Sequence, residues 1–544
     1  MGAPSYNDSD PDFELAERVR TNQQRLTAAL QPQYDFIVCG AGSAGSVIAR
    51  RLAENPDARV LLLEAGGSDD VPNVWTADLW PTNLGSERDW GFQSEPAAAL
   101  NGRALALSMG KVLGGGSSIN ALFWARGHRS DWDYFASESG DPAWKYDNIL
   151  NIYRRIEDWH GEPDPDYRGS GGPLFVQPAP DPHPLASATL EAARSVGIPT
   201  FENANGRIME AAAGASIADV CVRGDRTRGS VFRSYTYPYM DRTNLTVLTH
   251  ALVRRLIFDA NRATGVEVLY QGQIHNLNAS SEVVLSLGAV HTPKVLMQSG
   301  VGDEKELQRF GIPVLQHLPG VGRNYHDHIG FNCVWEFREP PAPSYLGESM
   351  VFWQSRPELE SPDLFLAEGP FAKASPENAK RFGLPDASWM FFGALSRPRS
   401  RGQILLTGPD PDDRVRIDAN ALSDPEDLES AKTCIEFMRE IGGAAALQPH
   451  IKREVMPGDL TGTDLEAYIR DAASTYWHQV GTAKMGNDSM SVVDGRLKVY
   501  GVENLRVADG SIMPRITTAN TMAPCVVIAE RAAELLTGEH RQWP

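Results

Sequence analysis

Only 12 histidines occur among 544 residues, and one of them stands in a setting that invites chemistry. His478 lies in the stretch STYWHQVGTAKMG (474–486), behind the aromatic pair Tyr476–Trp477 and just ahead of a Gly-Thr turn. An imidazole takes up a proton near neutral pH without help from its surroundings, which suits it to act as a general base. Two plainer roles also fit, a hydrogen-bonded core residue or a metal ligand. The five cysteines, Cys39, Cys221, Cys333, Cys434 and Cys525, are too scattered for a ligand cluster, and no metal site is expected. The choice between packing and catalysis rests with the rest of the chain.

A second chemistry is written near the start, in YDFIVCGAGSAGSVIARRLAENPDARVLLLEAGG (34–67). An apolar strand runs into Gly40-Ala-Gly42-Ser43-Ala44-Gly45, an Ala-rich helix follows, and a second apolar strand ends in Glu64-Ala65. A lone GxGxxG says little, but strand, helix and an acidic residue about 20 residues on make a dinucleotide fingerprint. Gly40 makes the tight turn, Gly42 admits a pyrophosphate to the backbone, and Gly45 lets helix and strand pack. The helix N-terminus offers free N–H groups to phosphate. Glu64 accepts from ribose hydroxyls, which favours an unphosphorylated adenosine ribose. A further glycine run, GKVLGGGSSINALFWARG (110–127), permits close approach to a flat or charged ligand, though alone it could be a flexible loop.

These sites need elements to hold them. The segment VVLSLGAVHTPKVLMQSGVG (283–302) reads as strand, small-residue turn and helix, and NLRVADGSIMPRITTANTMAPCVVIAERAAELL (504–536) as strand, loop and helix, with Pro524 in the first helical turn. Between about 330 and 475 the texture changes to short β-prone runs, DLFLAEGPF, SWMFFGAL, GQILLTG and RVRIDAN, as in an antiparallel sheet, followed by a helix over about 427–441. The nucleotide-binding half is thus spread along the chain, with a second domain inserted and the site expected at their junction. The opening segment DPDFELAERVRTNQQRLTAAL predicts an amphipathic helix, a solvated or partner-packing extension. A hydrophobic content of 42% is enough for a sizeable core. The net charge of −19 argues against nucleic acid or an anionic membrane as partner. No stretch is apolar enough for a membrane span or a signal h-region, so a cytoplasmic protein is expected.

Four separated motifs in this order resemble the glucose–methanol–choline flavoprotein oxidoreductases, in their choline dehydrogenase and alcohol oxidase branch. They are GAGSAG with Glu64, the run from Gly110 through Asp133, GAVHTPKVLMQSGVG, and the C-terminal pair YWHQVGTAKMG and ADGSIMPRITTANTMAP. The resemblance spans about 34–540. It implies an α/β fold, with a Rossmann-type FAD-binding domain discontinuous in sequence (34–165, 226–329 and 477–540). An inserted antiparallel-sheet substrate-binding domain (166–225 and 330–476) and the helical extension (1–33) complete it. It also implies that His478 is the catalytic base and Asn520 its partner, so the balance tips to catalysis. FAD contacts carry over to Trp90, Gly110, Val112, Gly116, Asn120, Ala121, Leu122, Phe123, Val253 (through its backbone), Asp509 and Met522. The implied reaction is oxidation of a primary alcohol to the aldehyde: the base takes the hydroxyl proton, flavin N5 takes the hydride, and the electrons pass to O2 or a quinone-type acceptor.

Departures from the family sharpen the expectations. Relatives with a covalent flavin carry a histidine where this chain has Ile119, so FAD is expected to be noncovalent. Choline-specific relatives place a carboxylate shortly after the Asp-His of YHDHIG; here the matching residue is Gly330, which points to a neutral alcohol, aromatic or aliphatic. Tyr476 and Trp477 suit an apolar substrate pocket, and equally suit core packing. Two rivals stand beside this reading: a hydroxynitrile lyase-like enzyme using the same histidine, and a nicotinamide-dependent dehydrogenase or a nucleotide-binding protein without redox chemistry.

Overall fold

The computed structural model describes residues 11–339 and 347–540. The strand Gln33–Cys39 is buried from its second residue on, and lies at the centre of a seven-stranded sheet. In space the order is Ala251–Asp259, Arg262–Tyr270, Gln273–Leu285, Gln33–Cys39, Val60–Leu63, Leu245–Leu248, with Leu505–Val507 also pairing with Gln273–Leu285. The strands around Gln33–Cys39 are parallel, so their apolar runs are buried on both faces between helices. Helices Ser43–Ala53 and Met522–Glu539 pack together on one face. The fold is mixed α/β with a Rossmann-type core.

The second seven-stranded sheet is antiparallel and runs Ile451–Met456, Ile329–Phe337, Ser388–Leu395, Leu364–Gly369, Ser349–Trp353, Gly214–Ile217, with Ser474–Thr475 added on Ile329–Phe337. Helix Pro425–Gly443 packs on it, two residues longer at each end than the pattern predicts. Asp424 caps its N-terminus and Pro425 fills the first position. Two of the β-prone runs go elsewhere: Gln403–Leu405 and Arg416–Asp418 pair only with each other. A small sheet joins Glu157–Trp159 to Leu174–Pro178 and Asp219–Val220, across the residue-165 boundary.

The opening helix, Pro11–Ala28, is solvated on one face and packs the other on its own chain. It covers the edge strand Leu245–Leu248 of its own chain. Gln23 is buried there; its Nε2 donates to Met240 O at 2.7 Å and Leu245 O at 2.9 Å, and its Oε1 accepts from Val247 N at 2.9 Å. One side-chain amide thus satisfies backbone groups that an open sheet edge would leave unpaired.

Candidate active site

A cavity of about 640 Å³ opens between the two sheets, and it begins at the glycine turn. Gly40 has φ +96°, and a Cβ on Gly45 would lie 1.8 Å from Gly40 O, so only glycine lets helix Ser43–Ala53 seat so close. Gly42 faces Gly115, where a Cβ would approach Gly42 Cα to 2.7 Å. Two bare backbones thus form a cradle, and the helix behind it has no side-chain cap on its first N–H groups. These features fit the pyrophosphate of FAD. At the end of Val60–Leu63, Glu64 accepts from Ala41 N at 3.0 Å and Gly66 N at 2.9 Å. Burial pushes its carboxyl up to about 7, against the pull of those N–H groups and Lys111.

Ser43, Ala44, Glu64 and Ala65 line the cavity with Gly40 and Gly42. So do Trp90, Gly110, Gly116, the run Asn120–Phe123, Val253, Asp509 and Met522. Gly45 lies behind the wall in its packing role. Val112 is fully buried and bridges Gly67 instead of facing the cavity. Asp509 joins two segments, accepting from Gly288 N and Thr292 Oγ1 through one oxygen and from Ser511 through the other. Ile119, in the turn Gly116–Ile119, presents only a hydrocarbon.

At the other end, His478 and Asn520 meet: Asn520 Nδ2 lies 3.2 Å from His478 Nε2. Each follows a residue with left-handed backbone, Trp477 (φ +61°) and Ala519 (φ +66°), so both loops present their functional side chain from a strained turn. Asp327 holds the first turn. It accepts from His478 N at 2.9 Å and from the Thr475 hydroxyl, and Thr475 Oγ1 accepts from Trp477 N at 2.7 Å. Asp131 holds the second, accepting from Thr518 N at 2.7 Å. Against the cost of its burial, Arg397 and Arg515 keep Asp131 down at about 2.

Sequence reasoning missed the segment that joins these loops. YHDHIG was read only for its glycine, yet Asp327 braces the His478 turn and His326 Nε2 accepts from Ile516 N at 2.8 Å. His328 Nδ1 lies 2.9 Å from His478 Nδ1. Burial lowers the His328 pKa to about 4, and burial with the facing His328 holds His478 well below the ordinary imidazole value. Both rings are therefore neutral at pH 7, and a single proton lies between the two Nδ1 atoms. Asn520 Nδ2–H points at Nε2, so the His478 proton sits on Nδ1 and is donated to His328 Nδ1. The Nε2 lone pair then accepts from Asn520, at the wall of the cavity that both residues line.

Tyr476 and Trp477 both line the cavity. Tyr476 stacks on Phe392 with ring centroids 4.0 Å apart and planes within 8°, and its hydroxyl donates to Phe392 O. Gly330 sits beneath this stack, where a Cβ would lie 2.5 Å from Phe392 Cε2 and 2.7 Å from Tyr476 Cε2. Trp80 packs edge-on against Trp477 at 6.4 Å.

A dinucleotide cradle at one end of a cavity and a neutral imidazole paired with an amide at the other define a flavin-dependent oxidoreductase. Comparison with known proteins agrees. Sequence models of the GMC oxidoreductase family match residues 34–330 and 398–529. Mitochondrial choline dehydrogenase of Homo sapiens is 35% identical over 94% of this chain and 91% of its own length. Oxygen-dependent choline dehydrogenase of Citrobacter koseri is 36% identical over 93% and 95%. The crystal structure of pyridoxine 4-oxidase from Mesorbium loti superposes with a TM-score of 0.87 at 32% identity, covering 94% of this chain and all of that one. The chain belongs to the GMC oxidoreductases, and it is an FAD-dependent enzyme acting on CH–OH donors. None of these three relatives supports a lyase or a nicotinamide enzyme. Among the described residues no helix is long and apolar enough to cross a membrane, and no cluster of side chains could hold a metal ion.

Proposed function

We propose that the enzyme oxidises primary alcohols with a neutral, apolar reacting end, aromatic or aliphatic, to aldehydes. The observation that carries this reading is the meeting of His478 Nε2 and Asn520 Nδ2 at 3.2 Å on a wall of aromatic rings. A substrate hydroxyl entering between them meets both groups. Neutral His478 takes its proton on Nε2, while the Nδ1–H stays directed at His328 and steadies the ring. Asn520 donates to the developing alkoxide without competing for the proton. FAD, when bound, supplies the acceptor for the hydride that leaves the carbinol carbon. Its noncovalent attachment is favoured by Ile119, and either O2 or a quinone-type compound serves as final acceptor.

The choline dehydrogenases among the relatives raise choline as a candidate. Two features weigh against it. Residue 330 has no room for a carboxylate under the Phe392–Tyr476 stack, and the stack itself supplies a flat apolar surface suited to a ring. Anaerobic flavin reduction by choline, benzylic, furanic, aliphatic and polyol alcohols is the test. Benzylic or aliphatic alcohols should outpace choline, and a choline kcat/KM equal to or above theirs would overturn the reading. Admitting air to the reduced samples separates oxidase from dehydrogenase.

A further inference from the structure

Among the described residues two cationic side chains other than histidine line the cavity, Arg103 and Lys373. Arg103 is occupied: its Nε pairs with Glu377 at 3.3 Å, and its Nη1 donates to the carbonyls of Arg470 and Ala473 at 3.0 and 3.1 Å. Lys373 has no such partner among the described residues. No carboxylate of the described residues pairs with it, and burial alone displaces its pKa, downward. Its ammonium instead sits among rings, 5.0 Å from the centre of Trp80, 5.9 Å from Trp477 and 6.0 Å from Phe371. Its backbone is pinned, because Asn332 Nδ2 donates to Lys373 O at 2.6 Å from the floor of the substrate sheet. The side chain is exposed, and what it is exposed to is the cavity that His478 also lines.

A cation with aromatic neighbours and no counter-charge is an incomplete ion pair. Trp477, which touches both this cage and the residue next in sequence, His478, links the two ends of one binding space. We infer that Lys373 binds an anionic substituent of the substrate, and so selects aromatic primary alcohols that carry an acidic group, a carboxylate or an ionised phenol, away from the reacting carbon. The inference rests on the alcohol-oxidising reading above and amends it at one end: the hydroxymethyl end stays neutral, while the far end is charged. A quaternary ammonium substrate would meet a like charge there.

The test uses the FAD-loaded full chain and Lys373→Met and Lys373→Arg variants matched for flavin content. 4-Methylbenzoate has no hydroxyl to oxidise, so its dissociation constant, read from the flavin difference spectrum, reports binding alone. Lys373→Met should weaken it about two- to fivefold, the worth of one partly exposed ion pair. Lys373→Arg should retain most of it. The kcat/KM ratio of 4-(hydroxymethyl)benzoate to benzyl alcohol should fall in the Met variant by the same factor, through KM. An unchanged dissociation constant in Lys373→Met, or no binding of 4-methylbenzoate to the unmodified enzyme, overturns the inference. Lysine-dependent binding of the benzoate with no alcohol able to reduce the flavin would instead overturn the alcohol-oxidising reading and leave the anion site standing.

Discussion

His328 is the sharpest point at which to test how the base is prepared. Its Nδ1 is the only hydrogen-bond partner that the His478 Nδ1 finds among the described residues, at 2.9 Å. His328→Leu deletes that acceptor and leaves a buried N–H unpaired, which costs about 1–3 kcal/mol. The imidazole can escape this cost by carrying its proton on Nε2, where the buried and unpartnered Asn520 Oδ1 can accept it after rotation of the amide. The first outcome destabilises the tautomer that keeps the Nε2 lone pair, and the second takes away the lone pair that the substrate hydroxyl needs. At the level of the transition state, 1–3 kcal/mol slows flavin reduction about 5- to 160-fold. His328→Asn places an amide oxygen near the former Nδ1 and should restore most of the rate. Stopped-flow reduction of flavin-replete enzyme by an alcohol, without oxygen, reads the effect directly, and KM should move little. In the unmodified enzyme the rate should hold through neutral pH and fall only at acid pH, below the ordinary imidazole value of about 6.5. The sign follows from the lowered pKa: the base stays unprotonated until the solution is acidic enough to charge a buried ring. If the Leu and Asn variants are slowed equally, His328 only packs, its ring being 5.2 Å from Phe365. A Leu variant at the unmodified rate would refute the tautomer argument outright.

His478→Ala should keep its FAD and reduce it about 10²–10⁴ times more slowly; full flavin with a near-normal rate would end the assignment. Asn520→Ala should cost up to about 10²–10³, and Asn520→Asp more, because a fixed negative charge opposes the alkoxide. Acid-denatured protein should release yellow FAD to the supernatant, since Ile119 offers nothing for the flavin to bond to; colour retained in the pellet would contradict this. Gly330→Ala should lower the apparent melting temperature through about 1–3 kcal/mol of overpacking, because the rings it meets are stacked and cannot swing aside; an unchanged melting curve would show that the stack is loose.

The parts of the site that sequence reveals are those made by neighbours in the chain. Strand, glycine turn, helix and Glu64 form one continuous unit whose glycines are required by backbone contact, so spacing alone indicates their purpose. The wall at Gly330 was only half legible. Its lack of a side chain is visible in YHDHIG, but the reason for it, an aromatic stack between Phe392 and Tyr476, joins residues more than eighty positions apart. His328 escaped notice for the same reason: it is 150 residues from His478, and the pairing of Ile329–Gly330 with Ser474–Thr475, with the His326–Val480 bridge, brings them together. The opening helix shows a different blindness. Its polar pattern reads as solvated, yet Gln23 points inward to serve an edge strand, and a buried amide looks like a surface one until its partners are known.

The two strained turns explain why the supporting residues are spread so widely. A tryptophan and an alanine held at positive φ cost of order 1–3 kcal/mol each, and such conformations persist only where the surroundings over-determine them. Each turn is braced by a buried carboxylate from a distant segment, Asp327 for Trp477 and Asp131 for Ala519. The two carboxylates are treated differently. Asp131 has two arginines to keep it ionised, whereas burial pushes Asp327 up to about 7 against only hydrogen bonds from Thr475, His478 and His328. A full negative charge so near His478 would favour its protonated form and spoil a base that must start neutral. Bracing that turn mainly through hydrogen bonds, with the cationic neighbours kept at the Asn520 loop, lets the fold hold both side chains rigidly while leaving the imidazole uncharged.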